Sequence, residues 1–154
     1  YVKTDGVFHP MRAPLTVTEE KYEGAAPEAD ITMEISKEGG FTFSEMPKAG
    51  TQTIAVKFND QSPHEHFLGH DVHLVKVENN DQLNKMSYWM NWSHKKGLET
   101  PAPGIFIGGM QDLPAGKTGY FTVDLEPGNY AFVAEVPDPA SKNMLKSFTI
   151  EVAE

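Results

Sequence analysis

Residues 121–136 read FTVDLEPGNYAFVAEV. The first half, Phe121–Leu125, alternates apolar and polar side chains, the period of a half-buried strand. The second half, Asn129–Val136, is a further strand-like run. Between them Pro127-Gly128 supplies turn chemistry: proline fixes one backbone angle and glycine tolerates the left-handed one. Two strands joined by a tight turn make the unit from which the rest of the chain can be read.

Working outward, the same alternation recurs. Ile31–Ile35 alternates and is broken by Gly39-Gly40; Phe41–Phe43 alternates and stops before Pro47. Thr51–Phe58 places Ile54, Val56 and Phe58 on one face, Val72–Val77 forms another run, and Leu145–Val152 closes the chain. Seven short strands with frequent turns predict an antiparallel β-sandwich. One segment reads as a helix. Asn79-Asn80-Asp81 can cap it, Leu83, Met86 and Met90 share one face, and it ends before Gly97. Pro101, Pro103 and Gly104 then predict a loop. Residues 1–28, with Pro10, Pro14 and Pro27 and the pair Glu19-Glu20, read as an extended arm with one short strand at Leu15–Thr18. The expected organisation is an arm, 1–28, and a domain, 29–154.

Composition narrows the function. The 154 residues hold 13 Lys+Arg against 22 Asp+Glu, a formal net charge of −9. Such a surface repels phosphate, so nucleic acid is not the expected partner. No apolar run approaches the ~18–20 residues of a membrane span. Cysteine is absent, which removes disulfides, thiol nucleophiles and thiolate metal sites. The chain begins at Tyr1 rather than Met, and a removed secretory signal is the expected cause.

The chemistry-bearing stretch is His64-Glu65-His66-Phe67-Leu68-Gly69-His70-Asp71-Val72-His73, with four of the six histidines. Imidazole ligates copper, zinc and nickel, and carboxylates complete such sites. In an extended chain His64 and His66 share a face, whereas His70 and His73 point to opposite faces. All four reach one ion only if the segment bends, as Pro63 and Gly69 permit. Solvated loop histidines are the plain alternative. Met86, Met90, Trp89, Trp92 and His94 offer softer groups, but a stripe at helical spacing reads first as core packing. His9-Pro10-Met11 in the arm reads first as a tail. No enzyme is expected: Ser62 beside His64 and Asp60 lacks a strand-turn-helix elbow, and Gly104–Gly109 lacks a phosphate-loop ending.

The order of these pieces carries a resemblance. Phe58-Asn59 closes a strand, His70-Asp71-Val72 opens the next, Leu125-Glu126-Pro127-Gly128-Asn129-Tyr130 forms an L-x-P-G-x-Y turn, and Met144 leads the last strand. Over roughly residues 29–153 the chain resembles the cupredoxins, small Greek-key sandwiches of blue-copper type. The resemblance implies that His70 stands at the upstream ligand histidine and Met144 at the axial methionine. It also implies that Ala134 occupies the position of the ligand cysteine, and no histidine lies between Ala134 and Met144. A copper-thiolate electron-transfer centre is therefore not expected. The expectation is a periplasmic or secreted protein that binds copper, or zinc, through His64, His66, His70 and His73 with Met144. Its partners would be the metal ion and a protein of the cell envelope. The alternative is a module of the same fold that binds a protein or ligand and holds no metal.

Overall fold

The computed structural model describes residues 2–9, 14, 16, 24–64, 69–91 and 93–152. Two four-stranded sheets face each other. One runs in the order β4 (Gly40–Phe43), β3 (Ile31–Ser36), β5 (Gly50–Phe58), β8 (Thr118–Leu125). The other runs β10 (Leu145–Ile150), β9 (Gly128–Val133), β6 (Val72–Val77), β7 (Ile105–Met110). All pairings within them are antiparallel except β3 with β5. This is the predicted all-β Greek-key sandwich. A separate hairpin joins β1 (Val2–Thr4) to β2 (Val7–His9).

The strands β3 and β5 form because alternation gives each one apolar face. Ile31, Met33 and Ile35 of β3 and Ile54, Val56 and Phe58 of β5 turn inward. They meet Val72 and Leu74 of β6 and Tyr130 and Phe132 of β9. Burial of apolar area of this kind is the main favourable term in folding, at about 25 cal/mol per Å². The opposite parity of β6 and β9, namely Val75, Val77, Ala131 and Val133, is also buried, under helix α1 (Asn80–Trp89). That covered face explains why Asn129–Val133 reads as apolar on both sides.

The helix is capped as its sequence suggests. The Asn79 side chain accepts a hydrogen bond from the Gln82 N–H, and Asp81 lies in the first turn. Met86 and Met90 are buried against the sheet, so the methionine stripe is core packing. The helix closes at Trp89, earlier than Gly97.

Three expectations are corrected. The segment after Pro103 is not a loop: Ile105–Met110 forms edge strand β7. Its register to β6 shifts between Leu74 and Val75, which pair with Gly108 and Phe106 and leave Ile107 as the extra residue. The arm is not wholly extended, because Asp5-Gly6 turns it into the β1–β2 hairpin. Both turn residues take positive φ, 53° and 78°, the requirement of a two-residue type I′ turn. The Gly6 N–H donates to Glu99 Oε1 at 2.6 Å, tying the hairpin to the segment after α1. The strand assigned to Asn129–Val136 stops at Val133. The strand expected at Leu15–Thr18 lies outside the described residues, apart from Thr16, which carries no regular structure.

Candidate metal centre

The loop from β5 to β6 carries His64 and His70 and is pinned by two side chains at its start. Gln61 holds both backbone groups of His70. Its Oε1 accepts the His70 N–H at 2.7 Å, and its Nε2 donates to the carbonyls of His70 at 3.2 Å and Leu113 at 2.8 Å. Asp60 holds the ring: its Oδ1 lies 2.6 Å from His70 Nε2. Asp60 is itself fixed by the N–H groups of Lys37 and Ser62. Burial works against the Asp60 carboxylate. The His70 hydrogen bond, the Ser62 and Lys37 N–H groups and the His70 charge outweigh it and hold the carboxyl below its ordinary value.

His70 is fully buried, and His64 is 9% exposed. His64 Nε2 lies 3.1 Å from His70 Nδ1, with the rings at 76°. A carboxylate accepts only, so Nε2–H of His70 donates to Asp60, and Nδ1 is the ring nitrogen left facing His64. Two nitrogens bound to one ion at ~2.0–2.1 Å, at about 90–110°, stand about 2.8–3.4 Å apart. The observed spacing falls in that range.

His73 belongs to a different cluster. Its Nε2 lies 3.1 Å from Asp71 Oδ2, while Asp71 Oδ1 accepts the Glu135 N–H at 2.8 Å. Donor atoms of Asp71, His73 and Glu135 all lie within 4.8 Å of one another. Burial disfavours a charged His73, but the Asp71 hydrogen bond and the charges of Asp71 and Glu135 hold it above its ordinary value. Burial and the Asp71 charge push the Glu135 carboxyl up to about 7.

The structure thus joins His64 to His70 and places His73 apart from them. His66 lies outside the described residues. Met144 is fully buried in the core between the sheets, and its carbonyl accepts the Ala134 N–H at 3.0 Å. Gly40, at φ 65°, lets β4 pass against the turn before Met144. A Cβ there would meet the Asn143 carbonyl oxygen at 2.5 Å. Of the other sequence candidates, His94 meets Tyr88, and Trp89 Nε1 donates to the Thr100 carbonyl. His9 ends β2, while Pro10, Met11 and Trp92 lie outside the described residues. Glu135 was missed by the reading of metal-ligand spacings. It is the one charged residue in the apolar run Tyr130–Val136, and that isolation was the available signal.

The residues present do not fit a copper-thiolate centre. Ala134, which the resemblance places at the thiolate position, is buried and offers only a methyl group. The segment 135–143 holds neither Cys nor His. They do fit an imidazole site, on the His64–His70 spacing. No helix among the described residues is long and apolar enough to cross a membrane.

No family model and no curated protein matches the chain. Solved structures do. The dithionite-reduced auracyanin of the photosynthetic bacterium Roseiflexus castenholzii aligns with a TM-score of 0.53 at 16% identity, over 79% of this chain and 95% of that one. Auracyanin A, a "blue" copper protein of Chloroflexus aurantiacus, aligns with a TM-score of 0.53 at 15% identity, over 78% and 98%. The azurin Az-iso2 of Methylomonas sp. strain J gives 0.51 at 14% identity, over 80% and 96%. With strand order, sheet pairing and these neighbours in agreement, the chain has the cupredoxin fold.

Proposed function

We propose that this is a metal-binding protein of the cell envelope that takes a divalent ion, copper before zinc, through imidazole rather than thiolate. Its role is copper binding, storage or delivery, and it is not an enzyme. One observation carries the reading: the buried His64–His70 pair, 3.1 Å apart, with Asp60 at His70 Nε2 so that Nδ1 is the ring nitrogen facing His64. A carboxylate behind a histidine is the usual outer partner of a metal-ligating ring. His66, from the same loop, and Met144 are further ligand candidates. The cell-envelope assignment rests on the resemblance to cupredoxins, and the fold neighbour auracyanin A, a "blue" copper protein, supports copper as the first ion to test.

A second reading has its own support. Both ring nitrogens of His70 already have protein partners, so the cluster is satisfied without an ion, as in a cupredoxin-fold module that binds a protein or ligand. Metal content after purification without added metal, then Cu(II) titration against a competing chelator, separates the two. Tight Cu(II) uptake, weakened at least about tenfold in His64→Ala and His70→Ala but not in His94→Ala, supports the metal reading. Equal behaviour of the three variants removes it. Partner capture that survives chelator supports the second.

A further inference from the structure

We propose that Asp71, His73 and Glu135 form a second, separate divalent-cation site, suited to Zn2+, on the helix-bearing face of the β10-β9-β6-β7 sheet. The proposal does not depend on the His64–His70 pair.

The face follows from strand parity. Val75 and Val77 of β6 pack under α1, and His73 shares their parity. Its ring meets Phe106 edge-on at 5.5 Å, and Phe106 in turn lies 5.9 Å from Trp89 of the helix. The cross-strand partner of His73 on β7 is Gly109, which presents no side chain beside the ring.

The backbone brings the third donor in before any ion is present. His73 pairs with Val133 on β9, so the chain leaving β9 passes beside residue 71. There Asp71 Oδ1 takes the Glu135 N–H at 2.8 Å. Asp71 Oδ2 is left to face His73 Nε2. The Asp71 side chain is 9% exposed and that of His73 18%. His73 therefore sits on a strand, Asp71 and Glu135 flank the strand ends, and the Asp71 and His73 side chains are largely withdrawn from water.

The donor set selects the ion. One imidazole nitrogen and two carboxylates suit a borderline first-row cation, and without sulfur the site does not favour Cu(I). Three protein ligands with a position left for water is a common arrangement for zinc. Donors within 4.8 Å of one another need only modest side-chain movement to reach an ion at ~2.0–2.2 Å. Binding replaces the proton between His73 Nε2 and Asp71 Oδ2 and offsets the repulsion between the two carboxylates. The plain alternative is a structural ion pair that merely fastens the start of β6 to the exit of β9.

The test uses the full chain stripped of metal and titrated with Zn2+ against a chromophoric chelator. Wild type should take up a Zn2+ ion that His73→Ala and Glu135→Gln lose, or hold at least about tenfold more weakly. His70→Ala should retain it. Glu135→Gln preserves side-chain shape, and its melting curve in chelator shows whether it folds. Zn2+ should also shift the ring nitrogen resonances of His73. Unchanged Zn2+ affinity in folded Glu135→Gln overturns the proposal. So does equal loss in His70→Ala, which would mean one shared site, or no Zn2+ uptake by wild type. Zn2+ binding that depends on Glu135, beside Cu(II) binding indifferent to His64 and His70, would refute the proposed function and leave this site standing.

Discussion

His70 and His73 lie three residues apart yet serve separate clusters: His70 Nδ1 faces His64 Nε2, while His73 Nε2 faces Asp71 Oδ2, each at 3.1 Å. The separation is a consequence of backbone parity at the entry to β6. Asp71, between them, ties this entry to the exit of β9 through the Glu135 N–H. The two clusters therefore respond to different substitutions, although four of the residues involved lie within ten positions of one another.

The first prediction concerns Asp60. Its carboxylate keeps the proton on His70 Nε2 and strengthens Nδ1 as a donor toward a metal. Asp60→Asn removes that charge and leaves the rings themselves untouched. Cu(II) affinity should drop about 10–100-fold in a competition titration, with far-ultraviolet circular dichroism unchanged. Wild-type affinity in this variant would show that the Asp60 charge does not support metal binding at His70.

The second concerns Ala134. It is fully buried, and the Asp71–Glu135 bond holds the neighbouring residue beside the strand entry that follows His70. Wild-type protein loaded with Cu(II) should lack the intense visible absorption of a copper-thiolate bond, since it has no cysteine. Ala134→Cys should introduce that absorption if copper sits at His70 Nδ1. A colourless Cu(II) complex of the variant, with copper bound, would place the ion elsewhere.

Most of the fold was legible because one residue pattern decided each element. The alternation of Ile31–Ile35 and Ile54–Phe58, the Pro127-Gly128 turn and the Asn79 cap each fix a local conformation without help from distant parts. What escaped depends on tertiary pairing. Ile105-Phe106-Ile107 stands between Pro103-Gly104 and Gly108-Gly109, so local signals say loop; pairing with β6 makes it a strand. The Asp5-Gly6 hairpin signal was present but overshadowed by the prolines that follow it. At the site, extended-chain parity put His70 and His73 on opposite faces while the metal expectation joined them; the structure places them in separate clusters. The partners Asp60 and Glu135 are 10 and 65 positions from His70, taken from their residue numbers. Only the sheet register brings Glu135 back to Asp71.

The third prediction tests that legible turn. Tyr130, buried on the inner face of β9, donates its hydroxyl to the Glu126 carbonyl at 2.7 Å across Pro127-Gly128. Its ring stacks on Phe148 at 5.4 Å. Tyr130→Phe keeps the stack and deletes one hydrogen bond. Unfolding free energy should fall by about 1 kcal/mol, read from urea titration with an unchanged m-value. A neutral result would show that the ring alone holds the turn.

The last prediction is a pH dependence of the metal-free protein. Burial and the Asp71 charge raise the Glu135 carboxyl from 4.5 to about 7 in the folded state. Below pH 4.5 both folded and unfolded chains hold the proton, and Glu135 adds no slope. Between 4.5 and about 7 the unfolded chain has released it while the folded chain keeps it, so stability falls as pH rises. Above about 7 the loss is complete. His73, raised above 6.5 chiefly by Asp71 against the opposing effect of burial, acts in the same direction but only from about 6.5 upward. Comparing Glu135→Gln with wild type in chelator isolates the first group from all other carboxylates. Urea unfolding between pH 4.5 and 6.5 should show wild type losing stability relative to the variant as pH rises. Parallel curves across that window would mean that Glu135 ionises freely in the folded protein and that Asp71 and Glu135 do not share a buried site.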